Sequence, residues 1–115
     1  MTDCLFCRVV AGEIPAQIVR RTPDAVAFHA INPQAPVHVL VIPTRHVAAV
    51  RDAAGADGER VHAGTLAFAA EVARELGLDA GGYRIVTNTG PDAGQSVDHL
   101  HFHVLGGRRL SWPPG

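Results

Sequence analysis

The chain has 115 residues, with 10 arginines and no lysine against 11 Asp+Glu, for a formal net charge of -1. That balance offers no basic field to a nucleic-acid backbone, so polymeric nucleic acid is excluded as the expected partner. The length suits a single domain spanning residues 1–115: surface scaling gives roughly 6,000 Å² folded against roughly 17,500 Å² unfolded, an ordinary core without cross-links.

The opening Cys4-Leu5-Phe6-Cys7-Arg8-Val9-Val10 runs into Gly12 and Pro15, which stop a short helix and start a turn. Residues Ile18–Arg21 and Val26–His29 are short β-type runs, and Thr22-Pro23-Asp24 between them is hairpin chemistry. After the loop Asn32-Pro33-Gln34-Ala35-Pro36, the run Val37-His38-Val39-Leu40-Val41-Ile42 is almost wholly apolar. It predicts a central strand buried on both faces. Ala48 to Gly58 reads as loop with at most one helical turn, and Glu59 to Leu76 as the one strong helix. Val61, Thr65, Phe68, Val72 and Leu76 share that helix's inner face, and Gly77 caps it. A strand over Tyr83–Thr87, a glycine-containing loop from Asn88 to Gln95 and a last strand from Val97 to Leu105 complete the chain. Adjacent strands with one intervening helix predict α+β: an antiparallel sheet of about five strands with the helix on one face. The longest strongly apolar stretch, Pro36 to Pro43, falls far short of the ~20 residues that span a bilayer. No basic segment precedes an apolar run at the start, so the expected setting is the cytoplasm, away from membranes.

The most informative run is His99-Leu100-His101-Phe102-His103-Val104-Leu105, whose strict alternation places three imidazoles on one face and Leu100, Phe102 and Val104 on the other. Four readings compete: a merely solvated face, a metal site, nucleophilic catalysis and a binding module. On a straight strand the first and third rings start ~13 Å apart, so a single ion does not take all three. An attacking middle imidazole, its neighbours fixing its tautomer and moving protons, accounts for all three. A phosphate-holding module without turnover uses the same residues. The loop Gly90-Pro91-Asp92-Ala93-Gly94-Gln95-Ser96 offers backbone N–H groups, an amide and a hydroxyl beside the histidines, an anion cradle that points to a phosphorus centre.

The run resembles the signature of the histidine triad (HIT) superfamily. Pro36 through Pro43, Arg45-His46, Asn88, Gly94-Gln95-Ser96-Val97, Gly106-Gly107-Arg108 and Trp112-Pro113-Pro114-Gly115 are similar to its Hint branch, the histidine triad nucleotide-binding proteins, over nearly the whole chain. The resemblance implies a homodimer whose two sheets join into one, with purine nucleoside phosphoramidase activity that requires no cofactor. Dinucleotide or nucleotidyl-ester hydrolysis, and a regulatory nucleotide-binding or scaffold role, are the alternatives it leaves open. By the same resemblance His101 is the nucleophile, His103 and Ser96 hold the α-phosphate and leaving group, and His99 and His38 support tautomer and proton relay. Phe6, Val9, Ile14, Phe28, Ile31 and Leu40 would form the purine pocket, with His29 beside base or ribose. Asn88 and the stretch Gly94, Gln95, Ser96, Val97 would sit at the phosphate, and Trp112 would reach the partner subunit's site. Two positions depart from the pattern: Ala30 stands where many relatives have a ribose-gripping aspartate, and Asp98 where an apolar or aromatic residue is common.

Cys4 and Cys7, too close in sequence for a structural disulfide framework, read as half a zinc site, a redox dithiol or two small buried residues. The resemblance adds His46 and His99, implying a structural zinc held by Cys4, Cys7, His46 and His99.

Overall fold

The computed structural model describes residues 3–115. Five antiparallel strands, β1 (Ile18–Arg21), β2 (Ala25–His29), β3 (Val37–Pro43), β4 (Tyr83–Val86) and β5 (Phe102–Gly106), form one sheet in the order β1-β2-β3-β5-β4. A short helix α1 (Leu5–Val10) opens the chain, and a long helix α2 (Gly55–Glu75) connects β3 to β4. The α+β expectation holds. The β1–β2 turn is fixed as its residues suggest, because the Thr22 hydroxyl accepts from the backbone N–H groups of Asp24 and Ala25 at 3.2 and 3.1 Å. β3 occupies the centre of the sheet, and five of its seven residues, His38, Val39, Val41, Ile42 and Pro43, are buried.

Period-two alternation divides the interior. Ala25, Ala27, Val39, Val41, Phe102 and Val104 face α2 and pack against Thr65, Phe68, Ala69, Val72 and Ala73. Val26, Phe28, Leu40 and Ile42 project to the other face, where α1 covers them with Phe6 and Val9. The histidines stand on this second face, beside the smaller helix. No helix among the described residues is long and apolar enough to cross a membrane.

Two boundaries differ from the sequence reading by more than one residue. α2 begins at Gly55, four residues before Glu59, because packing and charge override the poor helix propensity of Gly-Ala-Asp-Gly. Gly58 lies so close to Ala53 that a Cβ there would sit 2.5 Å from its carbonyl carbon, and Asp57 is gripped by Arg45 and Arg60, each at 2.7 Å. The last strand starts at Phe102 instead of Val97, since ladder pairing ends at Val41↔Phe102 on one side and Val86↔His103 on the other. Upstream, the backbone makes loop contacts: Leu100 N–H donates to the Val47 carbonyl at 2.6 Å, and Thr87 Oγ1 donates to the His101 carbonyl at 2.9 Å. Gly77, at φ +75, takes the left-handed conformation that lets the chain leave α2.

Candidate active site

The three histidines of the last segment sit on one side of the chain, but different hydrogen-bond partners fix each ring: the main chain for His99 and His101, and the His38 side chain for His103. His101 Nδ1 lies 2.7 Å from the His99 carbonyl oxygen. A carbonyl only accepts, so Nδ1 carries the proton and Nε2 keeps the lone pair. His101 is 4 % exposed, and its ring is packed edge-on by Phe6 at 5.1 Å between centroids, with His103 at 5.1 Å. This is the state an attacking imidazole requires: one nitrogen locked as donor, the other free.

The neighbouring pair is fixed in series. The Gln34 backbone N–H donates to His38 Nδ1 at 3.0 Å, so His38 holds its proton on Nε2. That nitrogen is 2.9 Å from His103 Nδ1 and donates to it, which leaves His103 with an outward N–H on Nε2. Burial depresses the pKa of His38, and burial reinforced by His101 and then His38 pushes that of His103 to about 4. Both rings are therefore neutral at pH 7, as the chain of donors demands. The chain of hydrogen bonds runs from Gln34 through His38 to His103, and His101 Nδ1 is held by the main chain of His99 and not by its ring.

The His99 ring points elsewhere. It is completely buried, and its Nε2–H donates to the Pro43 carbonyl at 2.9 Å. Its Nδ1 lone pair faces Cys4 Sγ at 3.3 Å, Cys7 Sγ at 3.5 Å and His46 Nδ1 at 3.2 Å, and His46 Nδ1 is 3.3 Å from Cys7 Sγ. Burial lowers the His99 pKa, the Pro43 bond opposes this, and His46 and His101 add to the lowering. The four donor atoms of Cys4, Cys7, His46 and His99 lie within 4.8 Å of one another. A tetrahedral zinc with bonds of about 2.3 Å to sulfur and about 2.0–2.1 Å to nitrogen has S···N and N···N edges of about 3.3–3.6 Å. The observed spacings and the Cys₂His₂ chemistry fit that ion, and the Pro43 carbonyl fixes the ring as an outer partner of a metal-bound histidine does.

A family model described as the HIT domain matches residues 11–110. The chain belongs to the HIT family. Its fold is similar to that of a HIT family hydrolase from Legionella pneumophila, with a TM-score of 0.94 at 44% identity, covering 98% of this chain and 100% of that one. It is also similar to a histidine triad nucleotide-binding protein from Candida albicans, with a TM-score of 0.82 at 31% identity, covering 96% and 83%. Among curated sequences, a 14 kDa zinc-binding protein of Brassica juncea is 43% identical over 121 residues, 98% of this chain and 100% of the relative.

In this HIT chain the remaining candidate residues are dispersed over several places. Phe6, Val9, Phe28, Ile14, Leu40 and Val97 come together in one apolar cluster beside the histidines, and Phe6 meets Phe28 edge-on at 5.5 Å. Ile31 lies outside it and is wholly exposed, and His29 is exposed at the end of β2. Asn88 is half-buried, while Gly94 and Ser96 are exposed on the loop after β4. The Gln95 side chain is occupied within the protein: its Nε2 donates to the carbonyls of Ala48 at 2.7 Å and Val97 at 3.0 Å, and its Oε1 accepts from Gly90 N–H at 2.9 Å. It builds the loop. Trp112 is 80% exposed, with the Arg84 guanidinium 5.9 Å from its ring centroid. Asp98 is exposed, and no contact among the described residues accounts for it. Sequence reasoning missed Gln34, Pro43, Thr87 and Arg108, which act through main-chain groups or touch them. The one signal for Gln34 was its place between two prolines ahead of the His38 strand.

Proposed function

We propose that this protein is a Hint-branch purine nucleoside phosphoramidase, which hydrolyses the P–N bond of nucleoside 5′-phosphoramidates through a nucleotidyl-His101 intermediate. The observation that carries the reading is the pairing of opposite tautomers on adjacent rings: a bare Nε2 on His101 beside an N–H on His103 Nε2. His101 Nε2 attacks the α-phosphorus, the P–N bond breaks, and the amine departs with its electron pair and a proton. Water then attacks the nucleotidyl-imidazole, releasing the 5′-nucleotide and restoring Nε2. His103 meets the incoming phosphate as a neutral donor. Its Nε2–H holds the phosphoryl oxygen and the leaving group; the departing nitrogen takes its proton from solvent, and the water that later attacks returns one to solvent.

The apolar cluster around Phe6, Val9, Ile14, Phe28 and Leu40 supports the purine, and the loop from Gly94 to Val97, with Ser96 and Asn88, supports the phosphate. Two chains form a homodimer in which the exposed Trp112 of one subunit, held by Arg84, reaches the other's site. Cys4, Cys7, His46 and His99 hold a structural zinc that ties α1 to the segments after β3 and before β5. Its part is cohesion, and no cofactor takes part in the chemistry. The protein acts in the cytoplasm on small nucleotides.

The deciding experiment is steady-state hydrolysis of an adenosine 5′-phosphoramidate by wild type and His101→Asn, with nucleotide binding followed in parallel. Turnover lost in the variant with binding retained is expected. Nucleotide binding without turnover in the wild type would instead assign a regulatory or scaffold role, and turnover confined to dinucleotides or nucleotidyl esters would replace the substrate class.

A further inference from the structure

We infer that Arg108 is a positioning residue for the reaction: it sets the tautomers of His38 and His103 by clamping the loop that carries the Gln34 N–H. This inference rests on the phosphoramidase reading for its kinetic consequence, and on geometry alone for its tautomers. The relay has a single fixed origin. A backbone N–H cannot accept, so the Gln34 amide makes His38 Nδ1 an acceptor, His38 Nε2 a donor and His103 Nε2 a donor in turn. Two imidazoles thus inherit their protonation pattern from the position of one peptide group.

That peptide lies in exposed loop, where no sheet ladder holds it: residues 31–34 are all exposed and precede the first residue of β3. Its neighbours supply the restraint. The Arg108 guanidinium donates to the Gln34 carbonyl at 2.9 Å with one terminal nitrogen and to the Arg109 carbonyl at 3.0 Å with the other. Gln34 Nε2 donates to the Asn32 carbonyl at 3.1 Å. Gly107, at φ +89, lies against Pro36 so closely that a Cβ there would come within 2.9 Å of the proline Cβ. Gly107 and Arg108 follow directly on β5, the strand that carries His103. The contacts therefore close a ring, from His103 along β5 to Arg108, across to Gln34, and through His38 back to His103. Displacement of the loop frees His38 Nδ1 to take the proton. His38 Nε2 then stops donating to His103, and His103 is free to place its own proton on Nδ1, facing away from the substrate. An arginine suits this task because its planar fork bridges two carbonyls at once and stays charged at every working pH.

The test is Arg108→Ala beside Arg108→Lys, each examined by two-bond proton–nitrogen correlation NMR of the imidazoles and by phosphoramidate kinetics. In wild type His38 and His103 are each expected as one Nε2–H tautomer. In Arg108→Ala both are expected to become mixtures, with kcat down roughly tenfold and KM within about twofold, since only the relay is disturbed. Arg108→Lys, which keeps a donor for the Gln34 carbonyl, is expected to restore most of the wild-type pattern. Unchanged tautomers in Arg108→Ala overturn the inference whatever the rates do, and a large rise in KM with intact tautomers reassigns Arg108 to substrate contact. If wild type hydrolyses no phosphoramidate, the functional reading fails while the spectra still decide the part played by Arg108. Urea midpoints of both variants separate loosening of this loop from global destabilisation.

Discussion

His99 and His101 stand two residues apart and both rings are buried, yet they belong to different chemistries. The Pro43 carbonyl takes the Nε2 proton of His99 and turns its Nδ1 toward two sulfurs and a second imidazole. The His99 carbonyl takes the Nδ1 proton of His101 and leaves its Nε2 bare. One region gathers four donor atoms around a point, while the other arranges donors and acceptors in a line from Gln34 through His38 to His103. The ring is the same in both places. What decides its role is which nitrogen the main chain claims, and that assignment costs no side chain.

If the two regions are separate devices, each can be disabled alone. The largest effect is expected from His101→Asn, which removes the nitrogen proposed to attack, beside that line: kcat should fall by on the order of 10³-fold or more, with metal content and nucleotide binding preserved. Loss of metal in that variant, measured by elemental analysis, would show that the division is false. Next comes Cys7→Ser, which removes a sulfur from the gathered donors. It is expected to reduce zinc from one per chain to almost none, and to lower stability by about 2.7 kcal/mol in buffer holding free zinc at a hundredfold above its Kd. Denaturant titration with and without chelator checks this, and a variant that still carries a full equivalent of zinc would break the assignment.

The third effect follows from pH. His103, with a folded pKa of about 4, and His38, also lowered, bind fewer protons when folded than an ordinary histidine near 6.5 does when unfolded. Between those values the unfolded state takes up more protons, so stability rises with pH there. Their contribution is intact above about 6.5 and is lost as pH falls toward about 4. Urea midpoints across that window should decline with acid in wild type and decline less in His103→Gln, whose side chain does not titrate. Equal slopes would detach the line of histidines from acid stability.

The smallest effect sharpens the comparison from outside both regions. Ala30 donates its N–H to the His38 carbonyl at 2.9 Å but has no side-chain group to offer a ribose. Ala30→Asp is expected to raise the preference for ribo- over 2′-deoxynucleoside substrates roughly tenfold, the worth of about 1.5 kcal/mol from a charge-assisted hydrogen bond. Metal content and tautomers should stay as they are. Equal discrimination by wild type and variant would remove Ala30 from the account of substrate choice.

Alternation in the last segment placed Leu100, Phe102 and Val104 on the α2 face and turned the histidines away from it, because side-chain direction along an extended chain depends on neighbours one residue away. The β1–β2 turn, the central place of β3 and the inner face of α2 were legible for the same local reason. The start of α2 was not, since Gly58 against Ala53 and Asp57 between two arginines outweigh propensity only once the chain has folded. Nor was the loss of strand character before Phe102, which depends on where β3 and β4 end.

At the site, the sequence by itself determined which residue types were present and, through resemblance, which of them to set together. Tertiary structure alone decided that the Pro43 carbonyl claims the His99 ring, that His38 meets His103, that Gln95 is spent on its own loop and that Arg108 grips the Gln34 carbonyl. A tautomer depends on a partner at hydrogen-bond distance, and the partner of His103 comes from 65 positions away along the chain. No local pattern encodes such a meeting; the packing of α1, β3 and β5 creates it.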